Sequence, residues 1–164
     1  MTGPSEVLRD GFAHHLWATR RLLDALDALG EEELDAEIPG TYGSIARTIT
    51  HLIDADDRYL QRLAVADVPP YVDHGGQPVA VLRERLAEHE ERWAAMLGAL
   101  EEGTLLSRVD RGEDGIVDPA ESLLLLQALH HGDDHRTQVC STLGASGLDV
   151  PELDVWSFWA AERA

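Results

Sequence analysis

Cysteine is almost missing from this chain. Cys140 stands alone among 164 residues, so no disulfide can close within the chain, and its thiol content demands no oxidising compartment. Long hydrophobic runs are missing too: no stretch reaches the roughly 18 apolar residues of a membrane-spanning helix. The opening residues, Met1-Thr2-Gly3-Pro4-Ser5-Glu6, carry neither the basic nor the apolar stretch of a secretory leader. A cytoplasmic protein is the expectation. Positive charge is the third scarcity. Lys and Arg number 13 against 31 Asp and Glu, a net charge of −18 with histidine neutral. Such a surface repels phosphate backbones and anionic membranes, so neither nucleic acid nor membrane is an expected partner, and a small-molecule substrate is. The Gly-x-Ser-x-Gly elbow, the phosphate loop and the dinucleotide fingerprint are absent as well.

What remains is an ordinary globular composition, 44% apolar and 27% charged, in a length that suits one domain over residues 1–164. The apolar spacing is helical. Leu8, Phe12, Leu16, Leu23 and Leu26 recur at three, four and seven residues and predict a helix from about Ser5 to Leu29, with Ser5 as N-cap and Gly30 as stop. The acidic run Glu31–Glu37, with Pro39, Gly40 and Gly43, reads as a loop. A second helix opens at the N-cap Ser44 and runs to about Ala64, with Ile45, Ile49, Leu52, Ile53, Leu60 and Leu63 on its apolar side. A third covers about Val79 to Leu100, with Val81, Leu82, Leu86, Trp93, Leu97 and Leu100 inward and a charged outer face. A turn-rich stretch follows, and Leu105 to Val117 reads as a short hairpin. Asp118-Pro119 opens a fourth helix that runs to about Leu143 and stops near Gly144 and Gly147. The tail carries Trp156, Phe158 and Trp159, an aromatic density that implies docking on the body. Four long helices joined by loops predict an all-α four-helix bundle.

Eight histidines, at 14, 15, 51, 74, 89, 130, 131 and 135, are the anomaly. His131 and His135 are one helical turn apart on one face, so both imidazoles can converge on one ion. The Glu of the metalloprotease pattern is missing, because Gly132 follows His131. A third ligand must come from another helix, and His51 is the best candidate. The apolar stripes of the second and fourth helices centre about 130° from His51 and about 120° from His131, which puts both histidine faces at the edge of the core. Three unconnected surface histidines fit the same spacing.

His130 points about 100° away from His131. His89 reads as solvated, His74 lies in a Gly-Gly loop, and His14 and His15 either line the cleft or face water. Cys140 reads as a small buried apolar residue. Asp54 and Asp134 each follow a candidate ligand by three residues, so either can orient an imidazole or act as a general base; with 31 acids in the chain, chance is the better account of either one taken singly. Gln127 and Gln138 project to the His131 side, and Arg58 projects to the His51 side, where it can meet an anionic substrate.

The stretch Thr41 to Leu60 resembles the second helix of the DinB-like (YfiT-like) superfamily, and His131-Gly132-Asp133-Asp134-His135-Arg136-Thr137-Gln138 is similar to its His-x-x-x-His-Arg-x-Gln segment. Ala13 to Leu26 and Pro151 to Trp156 resemble its opening and its ending. The resemblance implies a four-helix bundle, usually dimeric, that binds one divalent metal through His51, His131 and His135. It also implies either a metal-dependent hydrolase or an enzyme acting with a low-molecular-weight thiol. Tyr59 stands where that family often has Trp.

Three imidazoles with open positions make a catalytic and not a structural arrangement. A water at the ion, its pKa lowered to about 7, can attack an ester or amide; alternatively the ion can deprotonate a thiol for S-transfer or isomerisation. A non-catalytic metal or small-molecule binder is the third reading. Zn, Ni, Fe, Co and Mn all suit three histidines. Metal affinity is expected to fall as pH drops through the imidazole pKa of about 6.5. Trp17, adjacent to Leu16, and the tail aromatics exceed what one bundle core absorbs, so a two-fold homodimer is expected.

Overall fold

The computed structural model describes residues 4–63, 71–102 and 121–163. Among these residues the regular structure is helical throughout. Four long helices, α1 (Pro4–Leu26), α3 (Ile45–Arg62), α4 (Val79–Glu101) and α5 (Glu121–Ala145), form the bundle, and two short ones, α2 (Glu31–Leu34) and α6 (Val155–Ala161), lie against α3 and α1. The principal contacts run around a ring, α1 to α4 to α3 to α5 and back to α1. No described helix is long and apolar enough to cross a membrane. The predicted hairpin at 105–117 and the Asp118-Pro119 helix opening lie outside the described residues.

The helix ends follow local chemistry. Ser44 caps α3 by accepting the Arg47 N–H on its side-chain oxygen, as its residue type predicted. Helix α1 stops at Leu26, three residues short of the expected Leu29. There the Leu29 N–H turns back to the Leu26 carbonyl at 3.1 Å, a tighter bond than the helical ladder. The acidic run after it is not all loop. Gly30 takes extended backbone and Glu33 reaches back to its N–H at 2.8 Å, which starts the single turn of α2. Three glutamates in that turn sit at the positive end of the helix dipole. Helix α5 ends in a Schellman motif: Gly147 adopts a φ of 73°, and Leu148 N–H reaches the Leu143 carbonyl at 3.0 Å. Asp154 caps α6 through the Trp156 and Ser157 N–H groups.

The core is divided in two. One cluster gathers Leu22, Leu23 and Leu26 of α1, Ile45, Ile49, Leu52 and Ile53 of α3, Leu82 and Leu86 of α4, and Val139 and Leu143 of α5. The other gathers Phe12, Leu60, Trp93, Met96, Leu124, Leu125 and Ala128, with the Phe12 and Trp93 rings 4.4 Å apart. Each buried Leu or Ile contributes about 1.5–3 kcal/mol of burial energy. Between the clusters the buried positions are polar: His15 and Thr19 of α1, Asp54, Asp56 and Asp57 of α3, His89 of α4, and His135 and Arg136 of α5. Val81, expected inward, is exposed. The tail docks through one aromatic only. Phe158 packs on Trp17 and His14, while Trp156 and Trp159 stay exposed.

Candidate metal centre

The polar belt opens at one side into a cluster of three imidazoles. His51 comes from the middle of α3, and His131 and His135 come from successive turns of α5, the helix with the most extensive contact to α3. The His131 Nε2 lies 3.2 Å from His51 Nε2 and 3.1 Å from His135 Nε2. One ligand nitrogen from each residue falls within 4.8 Å of the other two. Metal–nitrogen bonds of about 2.0–2.1 Å, at angles between octahedral and tetrahedral, put neighbouring ligand nitrogens about 2.9–3.4 Å apart. A divalent ion therefore fits this donor set. Burial lowers the pKa of all three histidines. In His51 and His131 repulsion from the neighbouring imidazoles adds to it, and His131 falls to about 4. All three are thus neutral near pH 7, the form that ligates.

The surroundings fix the rings. Tyr42, on the loop before α3, stacks on His51 with centroids 4.0 Å apart and meets His135 edge-on at 5.5 Å. Gly40, at a φ of 95°, makes the turn that brings the loop over α3. Tyr59 presents its ring to His131 at 5.8 Å. Gln138 settles the state of His135. Its Oε1 accepts the Tyr42 backbone N–H at 2.9 Å, a group that can only donate, and its Nε2 donates to Asp134 at 3.3 Å. The amide orientation is therefore determined. The same Oε1 lies 3.2 Å from His135 Nδ1, so His135 carries its proton on Nδ1 and turns a bare Nε2 toward the other two rings. His51 Nδ1 is buried without a partner.

The two acids expected near the ligands take other places. Asp54 is buried and committed: it accepts from Arg85 at 2.6 Å and from the His74 ring and backbone N–H at 2.8 and 3.0 Å. It anchors the loop that precedes α4 and does not serve the unpartnered His51 Nδ1. Asp134 is exposed and stands one hydrogen bond away from His135, through Gln138. Gln127 reaches the Tyr59 hydroxyl at 3.5 Å. His130 is exposed, and Cys140 is half-buried against the core.

Two histidines read as peripheral are central to the fold. His89, expected in solvent, is buried and meets Asp57 at 2.7 Å. His15 is buried as well, with its Nε2 at 3.0 Å from Asp56. Arg136 donates to His15 Nδ1 at 3.2 Å, so His15 Nε2 carries the proton and donates it to Asp56. Trp93 adds an N–H to Asp56 at 3.3 Å. Burial pushes the Asp56 and Asp57 carboxyls up, but His15 and Trp93 on one and His89 and Arg85 on the other outweigh it and hold both below the usual range. Gly132 is explained by the same packing. A Cβ there would meet the His15 ring at 2.5 Å, so the position after His131 has no room for a side chain.

A helical wheel carries the signals for this second set. Asp56 lies about 140° round from His51, in the centre of the apolar stripe. His89 is flanked at seven, three, four and seven residues by the buried Leu82, Leu86, Trp93 and Met96. The many charges of α4 masked it.

Four long helices with three convergent imidazoles spanning two neighbours define an all-α protein that can hold one metal ion at its side. The chain belongs to the DinB family, whose pattern matches residues 5–164. No curated protein matches the sequence significantly.

Proposed function

We propose that the protein is a metal-dependent hydrolase of small molecules, holding one divalent ion on His51, His131 and His135. The convergence of three imidazole nitrogens, His131 Nε2 at 3.1–3.2 Å from the other two and all within 4.8 Å, supports it most directly, with no carboxylate or thiol in the group among the described residues. An ion held there supplies Lewis acidity toward a substrate oxygen and acidifies water at neutral pH. The protein's own part is positioning. Gln138 keeps the His135 lone pair facing inward, and burial keeps the three rings unprotonated. Tyr42 and Tyr59 wall the centre on two sides. Of the two acids expected as bases, Asp134 keeps an exposed carboxylate beside Gln138 and is the one this reading retains; Asp54 is bound up with Arg85 and His74.

The test is elemental analysis of protein purified without chelator or nickel resin, followed by turnover assays. About one ion per chain with ester or amide hydrolysis supports the reading. Turnover only with a low-molecular-weight thiol and an electrophile makes the protein an S-transferase or isomerase, and metal without turnover makes it a binder. The same reading includes a two-fold homodimer. Exposed Trp156 and Trp159 support it, and light scattering near 18 kDa, the mass of one chain, would count against it.

A further inference from the structure

Every cation of this chain is an arginine. With acids in such excess, arginines find partners easily: Arg9, Arg20, Arg83, Arg85, Arg92 and Arg136 each pair with an Asp or Glu. Arg21, Arg47, Arg58 and Arg163 have no such partner among the described residues, and of these only Arg47 and Arg58 lie on α3, the helix that carries His51. Both are exposed. Each guanidinium lies instead over a tyrosine, Arg47 at 5.9 Å from the Tyr42 ring and Arg58 at 5.5 Å from the Tyr71 ring.

Their placement is tied to the metal centre. Arg47 precedes His51 by four residues and Arg58 follows it by seven. At 100° and 1.5 Å per residue, both lie within about 40° of the His51 direction, about 6 Å to one side and about 10 Å to the other along the helix. Tyr42 is itself stacked on His51 at 4.0 Å, so the Arg47 head rests on a ring that already covers a ligand. The rim of the three-histidine centre thus carries two cations that the protein's own acids have left unclaimed. A tyrosine beneath a guanidinium holds its face and leaves the N–H edge free, and that planar edge matches a carboxylate or phosphate in bidentate fashion. In a chain of net charge −18, an anionic substrate is repelled at long range and needs such local cations to settle. Asp73, on the loop before α4, accepts the Gly75 N–H at 3.0 Å. Its charge acts on His51 and on the Tyr71 ring beneath Arg58, so it opposes an anion on the same rim and the two guanidiniums have to outweigh it.

We infer that the centre takes a small substrate bearing an oxyanion, a carboxylate or a phosphate, held by the guanidiniums of Arg47 and Arg58 that flank His51 along α3. This rests on reading His51, His131 and His135 as the metal site, and the test separates the two.

Metal-free and metal-loaded protein are titrated at low salt with glutarate, with inorganic phosphate and with neutral glutaramide. Binding is followed through the arginine Nε–H resonances in NMR spectra, and metal content is measured on the same samples. Glutarate or phosphate should shift the Arg47 and Arg58 signals, and glutaramide should not. Whichever anion binds more tightly identifies the oxyanion. Arg47→Gln and Arg58→Gln should each weaken that binding by about tenfold, the effect of one charge-assisted contact. Metal stoichiometry and thermal midpoint should stay unchanged, and Arg21→Gln should leave anion binding as it was. Equal binding of glutaramide and glutarate, or anion binding that survives the double variant, overturns the inference. Arginine-dependent anion binding in a protein that takes up no metal would sustain it and bring down the metal reading instead.

Discussion

Two sets of inward-turned histidines share the middle of this bundle, and they differ in what they face. His15 and His89 face carboxylates, Asp56 at 3.0 Å and Asp57 at 2.7 Å. His51, His131 and His135 face one another, with His131 Nε2 3.2 and 3.1 Å from the Nε2 atoms of the other two. In the first set each histidine meets a carboxylate inside the protein through its Nε2, although His89 Nδ1 is left without a partner, and these pairs stabilise the fold. In the second set the Nε2 atoms of three imidazoles crowd together, and the neighbouring rings lower the proton affinity of His51 and His131, a conflict that a cation resolves. Burial alone does not mark a functional histidine; the partner does.

The largest effect should separate the sets outright. His131→Ala should abolish stoichiometric metal, a loss beyond the roughly hundredfold that outer partners command, while His130→Ala keeps it. Equilibrium dialysis of the two variants decides, and the opposite result would mean that α5 presents a different face. Next comes stability. Asp56→Ala strands the His15 and Trp93 donors in the interior and should cost about 3–5 kcal/mol in denaturant unfolding of the metal-free protein. His131→Ala should cost that protein far less; equal losses would erase the distinction between the two sets. Gln138→Leu should weaken metal binding by about 10- to 100-fold in competition with a chelating dye, because His135 then loses the acceptor that fixes its tautomer. Gln138→Glu, which keeps an acceptor, should restore most of the affinity. Recovery failing in that variant would reduce Gln138 to a packing role.

A further effect is in pH. The folded pKa of His131 lies near 4, below its ordinary 6.5, so the unfolded chain takes up the proton first as pH falls. Metal-free stability should be fully present above about pH 6.5 and decline as pH drops through about 4. The loss of metal affinity should be displaced below 6.5 in the same direction. A stability curve flat across that window would show that the trio is not desolvated as described.

Much of the fold was legible locally. Ser44 as cap, the end of α5 at Gly147, and the apolar faces of α1 and α3 follow from residue type and a period of 3.6. The three histidines were legible too, because an i, i+4 pair and a third imidazole at a stripe edge are properties of single helices. The short α2 was not, since its start depends on Glu33 returning to Gly30 across an acidic run that looks like a loop.

The residues of one helix, through their spacing, therefore determined which faces are apolar, where most helices stop, and which histidines can share an ion. Tertiary structure alone decided what each buried polar group meets. His15 finds Asp56 41 positions away, and Arg136 finds His15 121 positions away. Tyr42 is held by Gln138 across 96. Periodicity ranks the faces of one helix, but a hydrogen bond between helices depends on their relative rotation and depth. Those are set only when both apolar clusters have packed.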